Sequence, residues 1–472
     1  MVNGREMTTA TVITEVVEAP PVDWSQFSSA LELRDFQVEG ITKMRSAKRM
    51  LNRYKPGLGK TICGTYASVG PTLIVCPNYL TEQWYTWLAG DEGFNAHPPY
   101  APADRQNIVW VKGTRYEKLM ALCRGGVDFH VVNMETLQTH ADEIIELSNR
   151  KHWQTLIIDE SHHFRNKDAR RSRTAVELAR DCEYVFELTG TPIWREVDDL
   201  YMQLKLLHPD VFTSYYSFVD LYCIADTDRY GTKVRGVKKS MIKELDEIMD
   251  VVSINATYES AGRQLPPIIE KFIPVEFPPK LRDAYNSMVN GYRIDFEGDV
   301  IRFENFLQIL RAMRLMTAFQ GKLEAAVEAI EDLHTNDKVV VFTWYRETCE
   351  NIARMLHTDA IHGEMPVAQR RELALKNKIV CANLASLGEG IDLSEARAII
   401  FLEEHYTHGA MEQAIARVVR ERQNANNTDP VLVYYIYVPD SIDVDIHNIS
   451  KQRGASARQV LKEALHVVEV LK

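Results

Sequence analysis

Short runs of contiguous apolar residues punctuate this chain, and most are followed by a stretch with the three-to-four-residue spacing of a helix. In the first half the runs are Thr72–Pro77, Ile108–Val111, Phe129–Val132, Leu156–Ile158 and Tyr184–Leu188. In the second they are Lys338–Phe342, Ala360–Gly363, Lys378–Ala382, Ala398–Leu402 and Val431–Tyr435. Runs this short, with little polar alternation, predict strands covered on both faces. Leu80–Leu88 and Tyr116–Leu122 read as helices between them. Leu31–Met44 reads as an amphipathic helix, with Leu33, Phe36, Ile41 and Met44 near one face. Strands alternating with helices predict parallel, doubly wound sheets whose ligands gather at the carboxyl ends of the strands. From Val211 to Glu270 the pattern is helical and irregular, broken by Leu265-Pro266-Pro267. The expected architecture is α/β, in two lobes of one design.

The notable residues sit where those strands end: Pro77, Asn133 to Thr136, Asp159, Glu160 and Thr189-Gly190-Thr191-Pro192. Earlier in the chain, Tyr54-Lys55-Pro56-Gly57-Leu58-Gly59-Lys60-Thr61 has the ending of a phosphate-binding loop. Its glycines let backbone N–H groups approach a polyphosphate, Lys60 reaches the terminal phosphates, and the Thr61 hydroxyl suits Mg²⁺. Tyr54 stands where the full pattern has Gly, and Gly-Lys-Thr alone is equally a turn entering a helix. Leu156-Ile157-Ile158 ends in Asp159 and Glu160, one carboxylate suited to a Mg²⁺ shell and the other to orienting water. Alone, that pair is equally a solvated helix start. Gln37 is either part of a solvated helix face or an amide that reads an adenine edge.

The second half lacks a phosphate loop and offers instead Gly388-Glu389-Gly390-Ile391-Asp392 and a predicted helix with Gln413, Arg417 and Arg420. Arginines at i and i+3 share a helix face. Supplied across a cleft, one would stabilise charge on a transferring phosphoryl group; in isolation they read as a surface pair. Arg165, Lys167, Arg170, Arg171 and Arg173 form a basic cluster after the acidic pair, a nucleic-acid footprint or a solvated face.

Length and charge narrow the class. With 472 residues, 45% hydrophobic and 26% charged, the chain has room for two or three domains with full cores. We expect a loose tail over residues 1–26, a first lobe over 27–255, a linker and helical segment over 256–320, and a second lobe over 321–472. Lacking any long apolar run, the sequence predicts no transmembrane helix and no membrane partner. The seven cysteines form no Cys-x-x-Cys, which leaves a reducing cytoplasm as the expected setting. A net charge of −11 argues against non-specific coating of nucleic acid but allows a local basic groove.

Taken together, the motifs resemble those of superfamily-two helicases, and among them the Swi/Snf-type DNA translocases. The likeness runs in the family's order from Leu33 to Lys451. Leu33-Arg34-Asp35-Phe36-Gln37-Val38-Glu39-Gly40 resembles the adenine-reading segment, Gly57-Leu58-Gly59-Lys60-Thr61 the first motif, and Asp159-Glu160-Ser161-His162 the Asp-Glu-x-His box. Leu188-Thr189-Gly190-Thr191-Pro192 is similar to the motif that couples hydrolysis to movement. Leu265-Pro266-Pro267 and Gly321-Lys322-Leu323-Glu324 are similar to the linker and the entry to the second lobe. The run from Gln413 to Gln423 is similar to the arginine motif. Lys55-Pro56 departs from the usual acidic residue and Met, and the double-Arg segment before Leu-Pro-Pro is absent. A bare motor of bacterial or phage type, acting in a bacterial cytoplasm, is expected.

The resemblance implies two tandem RecA-like lobes with an ATP cleft between them. ATP–Mg²⁺ would be held by Gly57, Leu58, Gly59, Lys60 and Thr61, with Arg34 and Gln37 at the base and Asp159 sharing Mg²⁺ with Thr61. Glu160 would activate water. Arg417 and Arg420 would complete the site, with Gln413, Gly390 and Asp392 contributing from the second lobe and Asp392 touching the ribose. His162 would link the nucleotide to Thr189–Thr191. Arg115, Thr136 and Ser386, or their neighbouring amides, would grip phosphates of duplex DNA without reading sequence. The expected function is translocation on double-stranded DNA. A strand-separating or branch-migrating helicase on DNA or RNA, and a non-catalytic clamp, are the alternatives; protein partners are not legible.

Overall fold

All strand pairings within the two main sheets are parallel, which forces each connection to cross over a face of its sheet. The computed structural model describes residues 21–27, 31–90, 97–193, 196–228, 231–262, 265–291, 293–296, 299–302, 306–333, 337–386, 391, 393–420 and 429–451. It divides into two units, Met1–Arg263 and Gln264–Lys472.

The first unit holds β1 (Arg49–Asn52), β2 (Thr72–Cys76), β3 (Ile108–Trp110), β4 (Phe129–Asn133), β5 (Thr155–Asp159) and β6 (Tyr184–Leu188). An antiparallel hairpin, β7 (Cys223–Asp228) and β8 (Gly231–Val237), follows, then β9 (Ser253–Ile254). The sheet order is β3-β4-β2-β5-β6-β1-β9. Successive side chains of a strand point to opposite faces, and both faces are buried here. Leu73, Val75, Leu156, Ile158 and Val185 pack into one core, and Ile74, Cys76, Ile157, Phe186 and Leu188 into the other. That double coverage is why the sequence shows near-continuous apolar runs.

The second unit holds β10 (Ile268–Pro274), a small hairpin of β11 (Arg293–Phe296) and β12 (Asp299–Arg302), β13 (Lys338–Thr343), β14 (Ala360–Ile361), β15 (Ile379–Asn383), β16 (Ala396–Phe401) and β17 (Val431–Tyr437). Its main sheet runs β10-β17-β16-β13-β15-β14. Val340, Phe342, Val380, Ile399 and Phe401 line one face, and Val339, Val341, Cys381, Ala398 and Ile400 the other. A separate cluster of Phe277, Tyr285, Met288, Met313, Ile442 and Ile446 joins the helices Pro279–Gly291, Phe306–Thr317 and Ile442–Ser450.

The structure departs from the sequence pattern in four places. The helix expected over Leu31–Met44 spans Asp35–Ala47, because Arg34 is extended (φ −83°, ψ 155°) and its N–H donates to Gln37 Oε1 at 3.0 Å. β1 has only four residues, two of them polar, and is fixed by pairing with β6 and β9 rather than by an apolar run of its own. The irregular Val211–Glu270 stretch contains the β7–β8 hairpin, whose strands carry too few core residues to announce themselves. Ile268–Pro274, expected in the linker, forms the edge strand β10 against β17. Among the described residues no helix is long and apolar enough to cross a membrane.

Candidate nucleotide site

Strand register alone brings three separate motifs together. Asn52 at the end of β1 stands beside Leu188 at the end of β6, and Leu188 stands beside Asp159 at the end of β5. With neighbouring strands about 4.8 Å apart, the chain leaves the sheet for the phosphate loop, the Thr189–Thr191 turn and the Asp159–His162 turn within roughly 10 Å.

Asn52, wholly buried, starts the loop. Its Oδ1 accepts the N–H of Tyr54 at 2.9 Å and its carbonyl accepts the N–H of Thr189 at 3.1 Å. Gly57 and Gly59 then take positive φ, 77° and 87°, and the helix Lys60–Ala67 begins at once. Positive φ strains any residue with a Cβ, and at Gly59 a Cβ would also lie 2.3 Å from Gln37 Nε2. Gln37 is thereby brought against the loop. Its amide donates to Leu58 O at 3.1 Å while accepting the N–H of Arg34. Lys60 Nζ donates to Tyr54 O at 3.0 Å, and Tyr258 holds Pro56 O through its hydroxyl at 2.9 Å. Leu58 is buried and Thr61 half-buried.

Tyr54, the residue that breaks the loop pattern, has a structural reason. Its ring is buried against Phe36 and its hydroxyl donates to Phe36 O at 2.8 Å, tying the helix that carries Gln37 to the loop.

At the end of β5, Asp159 is 6% exposed. Its Oδ1 accepts the N–H of Glu160 at 3.0 Å and its Oδ2 accepts the indole N–H of Trp84 at 2.8 Å. Glu160 follows with φ 50° and ψ 51°, a left-handed conformation costing a non-glycine residue of order 1–2 kcal/mol. His162 is buried. Its Nδ1 lies 3.1 Å from Thr189 Oγ1 and 3.2 Å from Glu160 Oε2, so it joins the acidic pair to the Thr189–Thr191 turn. That turn touches the loop as well: a Cβ on Gly190 would be 3.4 Å from Pro56 Cδ and 3.5 Å from Lys60 Nζ.

Beneath this turn lies Glu187 of β6, fully buried, its carboxyl making no hydrogen bond of ordinary geometry among the described residues. Burial pushes its pKa well above the usual carboxylate range, against the smaller pull of the Ser161 hydroxyl. Next to the box, burial drives His163 down to about 3, so it is neutral at physiological pH.

The remaining predicted residues are dispersed. Arg115 is exposed and paired with Glu143 at 3.4 Å. Thr136 is buried, its hydroxyl donating to Asn133 Oδ1 at 2.6 Å and receiving Lys118 Nζ at 3.3 Å. Ser386 is buried, with its hydroxyl within 2.8 Å of Ile361 O and 2.7 Å of Asn383 O. Three residues of the basic cluster have partners within the first unit. Lys167 pairs with Asp168, Arg170 with Asp142, and Arg171 donates to His163 O.

In the second unit Gln413 lies on the helix His408–Ile415, which stops before the two arginines. Arg417 and Arg420 therefore sit in successive turns rather than on one helix face. Val418 and Val419, between the two arginines, are both buried. Arg420 Nε donates to Ala416 O at 2.9 Å. Gly390 and Asp392 lie outside the described residues.

Asn52, Trp84 and Tyr258 were missed from sequence. Only Trp84 left a signal: a Trp in an apolar helix face needs an acceptor for its N–H.

The donor set of the first unit fits a magnesium-bound nucleoside triphosphate. It provides a glycine-rich turn opening a helix, one ammonium, one hydroxyl and a carboxylate at the end of β5. Mg²⁺ is ordinarily held by one or two protein oxygens together with phosphates.

A family model described as the SNF2-related domain matches residues 31–328, and one described as the helicase conserved C-terminal domain matches residues 321–422. The chain is 25% identical over 449 residues to the DNA annealing helicase and endonuclease ZRANB3 of Bos taurus, covering 87% of this chain and 39% of that protein. It is 26% identical over 458 residues to the SWI/SNF-related matrix-associated actin-dependent regulator of chromatin subfamily A-like protein 1 of Xenopus tropicalis, covering 92% and 45%. This chain thus spans less than half the length of these curated relatives. Among solved structures it is similar to the SWI2/SNF2 ATPase core of Sulfolobus solfataricus in complex with dsDNA, at 18% identity and a TM-score of 0.42, over 94% of this chain and 96% of that one.

Proposed function

This chain belongs to the SNF2-related domain family, and on that premise we propose that it hydrolyses ATP to translocate along double-stranded DNA. The observation that carries the reading is the register that sets Asn52, Leu188 and Asp159 side by side, joining the phosphate loop, the acidic pair and the Thr189–Thr191 turn in one site. The names of the similar proteins favour DNA over RNA as the track.

In this reading the amides of Gly57 to Thr61 and the Lys60 ammonium hold the terminal phosphates. Thr61 and Asp159 are the residues that would hold Mg²⁺, which supplies charge neutralisation when bound. Glu160 orients the water that attacks the γ-phosphorus, and the bond to the β,γ-bridging oxygen breaks. His162, between Glu160 and Thr189, makes the position of that turn sensitive to what Glu160 contacts. Arg417 and Arg420 of the second unit stabilise the charge spread over the transferring group, an effect of roughly 10³–10⁵ in rate where such a residue is supplied. Arg115 contributes directly to DNA phosphate contact. The buried hydroxyls of Thr136 and Ser386 leave that role to neighbouring amides and to Lys118 and Arg370.

The test is ATP hydrolysis without polymer, then with duplex DNA, single-stranded DNA and structured RNA. Stimulation by duplex, followed by displacement of a triplex-forming strand, is the expected result. Stimulation chiefly by single strands or RNA would replace it with the helicase reading, and absence of hydrolysis with the clamp. Lys60→Ala should abolish ATP binding, Glu160→Gln should bind without turnover, and Arg420→Ala should bind and turn over very slowly. Wild-type turnover in any of the three removes the role assigned to that residue.

A further inference from the structure

Trp84 belongs to the helix Thr81–Ala89, which begins shortly after β2. Its side chain is fully buried, held edge-on by Trp87 at 6.0 Å between ring centroids and 75° between planes. From that fixed seat it spends its single polar atom on Asp159, with Nε1 2.8 Å from Oδ2. The Glu160 N–H takes the other oxygen at 3.0 Å. Both oxygens of the carboxylate are thereby held in one orientation.

The identity of the donor matters. A lysine or arginine in this seat would orient the carboxylate equally well but would offset the charge that attracts a cation. An indole donates only, carries no charge and does not titrate, so it fixes geometry while leaving the full negative charge in place. Groups that hold a metal ligand in this way commonly change affinity or activity 10–100-fold when removed.

We propose that Trp84 is a positioning residue for metal binding, its indole N–H presetting the Asp159 carboxylate. The inference rests on Asp159 being a metal ligand, as in the function proposed above. The measurement is Mn²⁺ affinity in the presence of ADP, read from the free-ion electron paramagnetic resonance signal rather than from turnover. Trp84→Phe removes the donor but also volume, so the decisive variant carries 3-benzothienylalanine at position 84, which replaces N–H by sulfur in a ring of nearly the same shape. Both variants should bind Mn²⁺ about 10–100-fold more weakly. In ¹⁵N-resolved spectra, the wild-type indole N–H resonance of Trp84 should shift in the Asp159→Ala variant. If Asp159→Ala loses Mn²⁺ while the benzothienyl variant keeps wild-type affinity, Trp84 has only a packing role and the proposal is overturned. If Asp159→Ala itself binds Mn²⁺ normally, the metal assignment falls first and this inference falls with it.

Discussion

Glu187 shows how much a single side chain can hold against its surroundings. The sequence marks it as one polar residue inside an apolar strand, and pattern alone suggested only that β6 is buried. In the structure it is fully buried, and the neutral acid is the favoured form. A folded pKa raised above the usual 4.5 contributes stability that is complete below that pH and is lost as pH climbs toward the folded pKa. Glu187→Gln is neutral at every pH, so its stability advantage over wild type should widen as pH rises above the usual carboxylate value. The slope should approach, at most, about 1.4 kcal/mol per pH unit. Thermal melts at three pH values would measure it; parallel melting curves would mean that Glu187 is ionised and paired in the fold. At the same scale, Lys60, Asp159 and Glu160 were legible as candidates because phosphate and metal chemistry demands those residue types at strand and loop ends. The pairing of Trp84 with Asp159 was not, because Asp159 lies 75 residues further along the chain.

Among elements, the helix Asp35–Ala47 and the phosphate loop are joined through one close approach. A Cβ on Gly40 would stand 2.0 Å from the Tyr54 hydroxyl and 3.1 Å from Ile254 Cδ1. Alanine in a helix interior normally gains about 0.5–1 kcal/mol over glycine. Here overpacking against a buried, hydrogen-bonded tyrosine costs about 1–3 kcal/mol, and the clash should win. Gly40→Ala should therefore lower the urea midpoint, and adding Tyr54→Phe should recover part of the loss by removing the clashing oxygen. Tyr54→Phe alone should cost about 1 kcal/mol for the lost bond to Phe36 O. Additive effects in the double variant would show that the two residues do not meet. The same contact explains why the loop departs from its usual first glycine. The end of the helix His408–Ile415 is the converse case. The i, i+3 spacing of Arg417 and Arg420 reads as helix, but the helix ends at Ile415 and the chain passes into a turn before either arginine.

For the whole molecule, the acidic balance of −11 and the proposed DNA track pull in opposite directions. If contacts are to backbone phosphates, binding must depend on a few placed cations and release counterions, so affinity falls with salt. We expect duplex affinity to drop about tenfold or more between 50 and 200 mM salt, with little dependence on base sequence. A titration showing salt-independent binding would remove the phosphate-gripping reading. The sequence by itself determined the class of this protein: two parallel α/β units, the order of their motifs, and which residues are the candidates for phosphate and metal chemistry. It could do so because strands covered on both faces must be apolar throughout, and because phosphate chemistry restricts the residues at their ends. Tertiary structure alone decided which of those residues meet. Register placed Asn52, Leu188 and Asp159 side by side, drew β1 and β10 into sheets their own composition does not demand, and set Trp84 on Asp159. These are non-local pairings between segments far apart in the chain. Their free energy comes from packing and hydrogen bonds that exist only once both partners are in place.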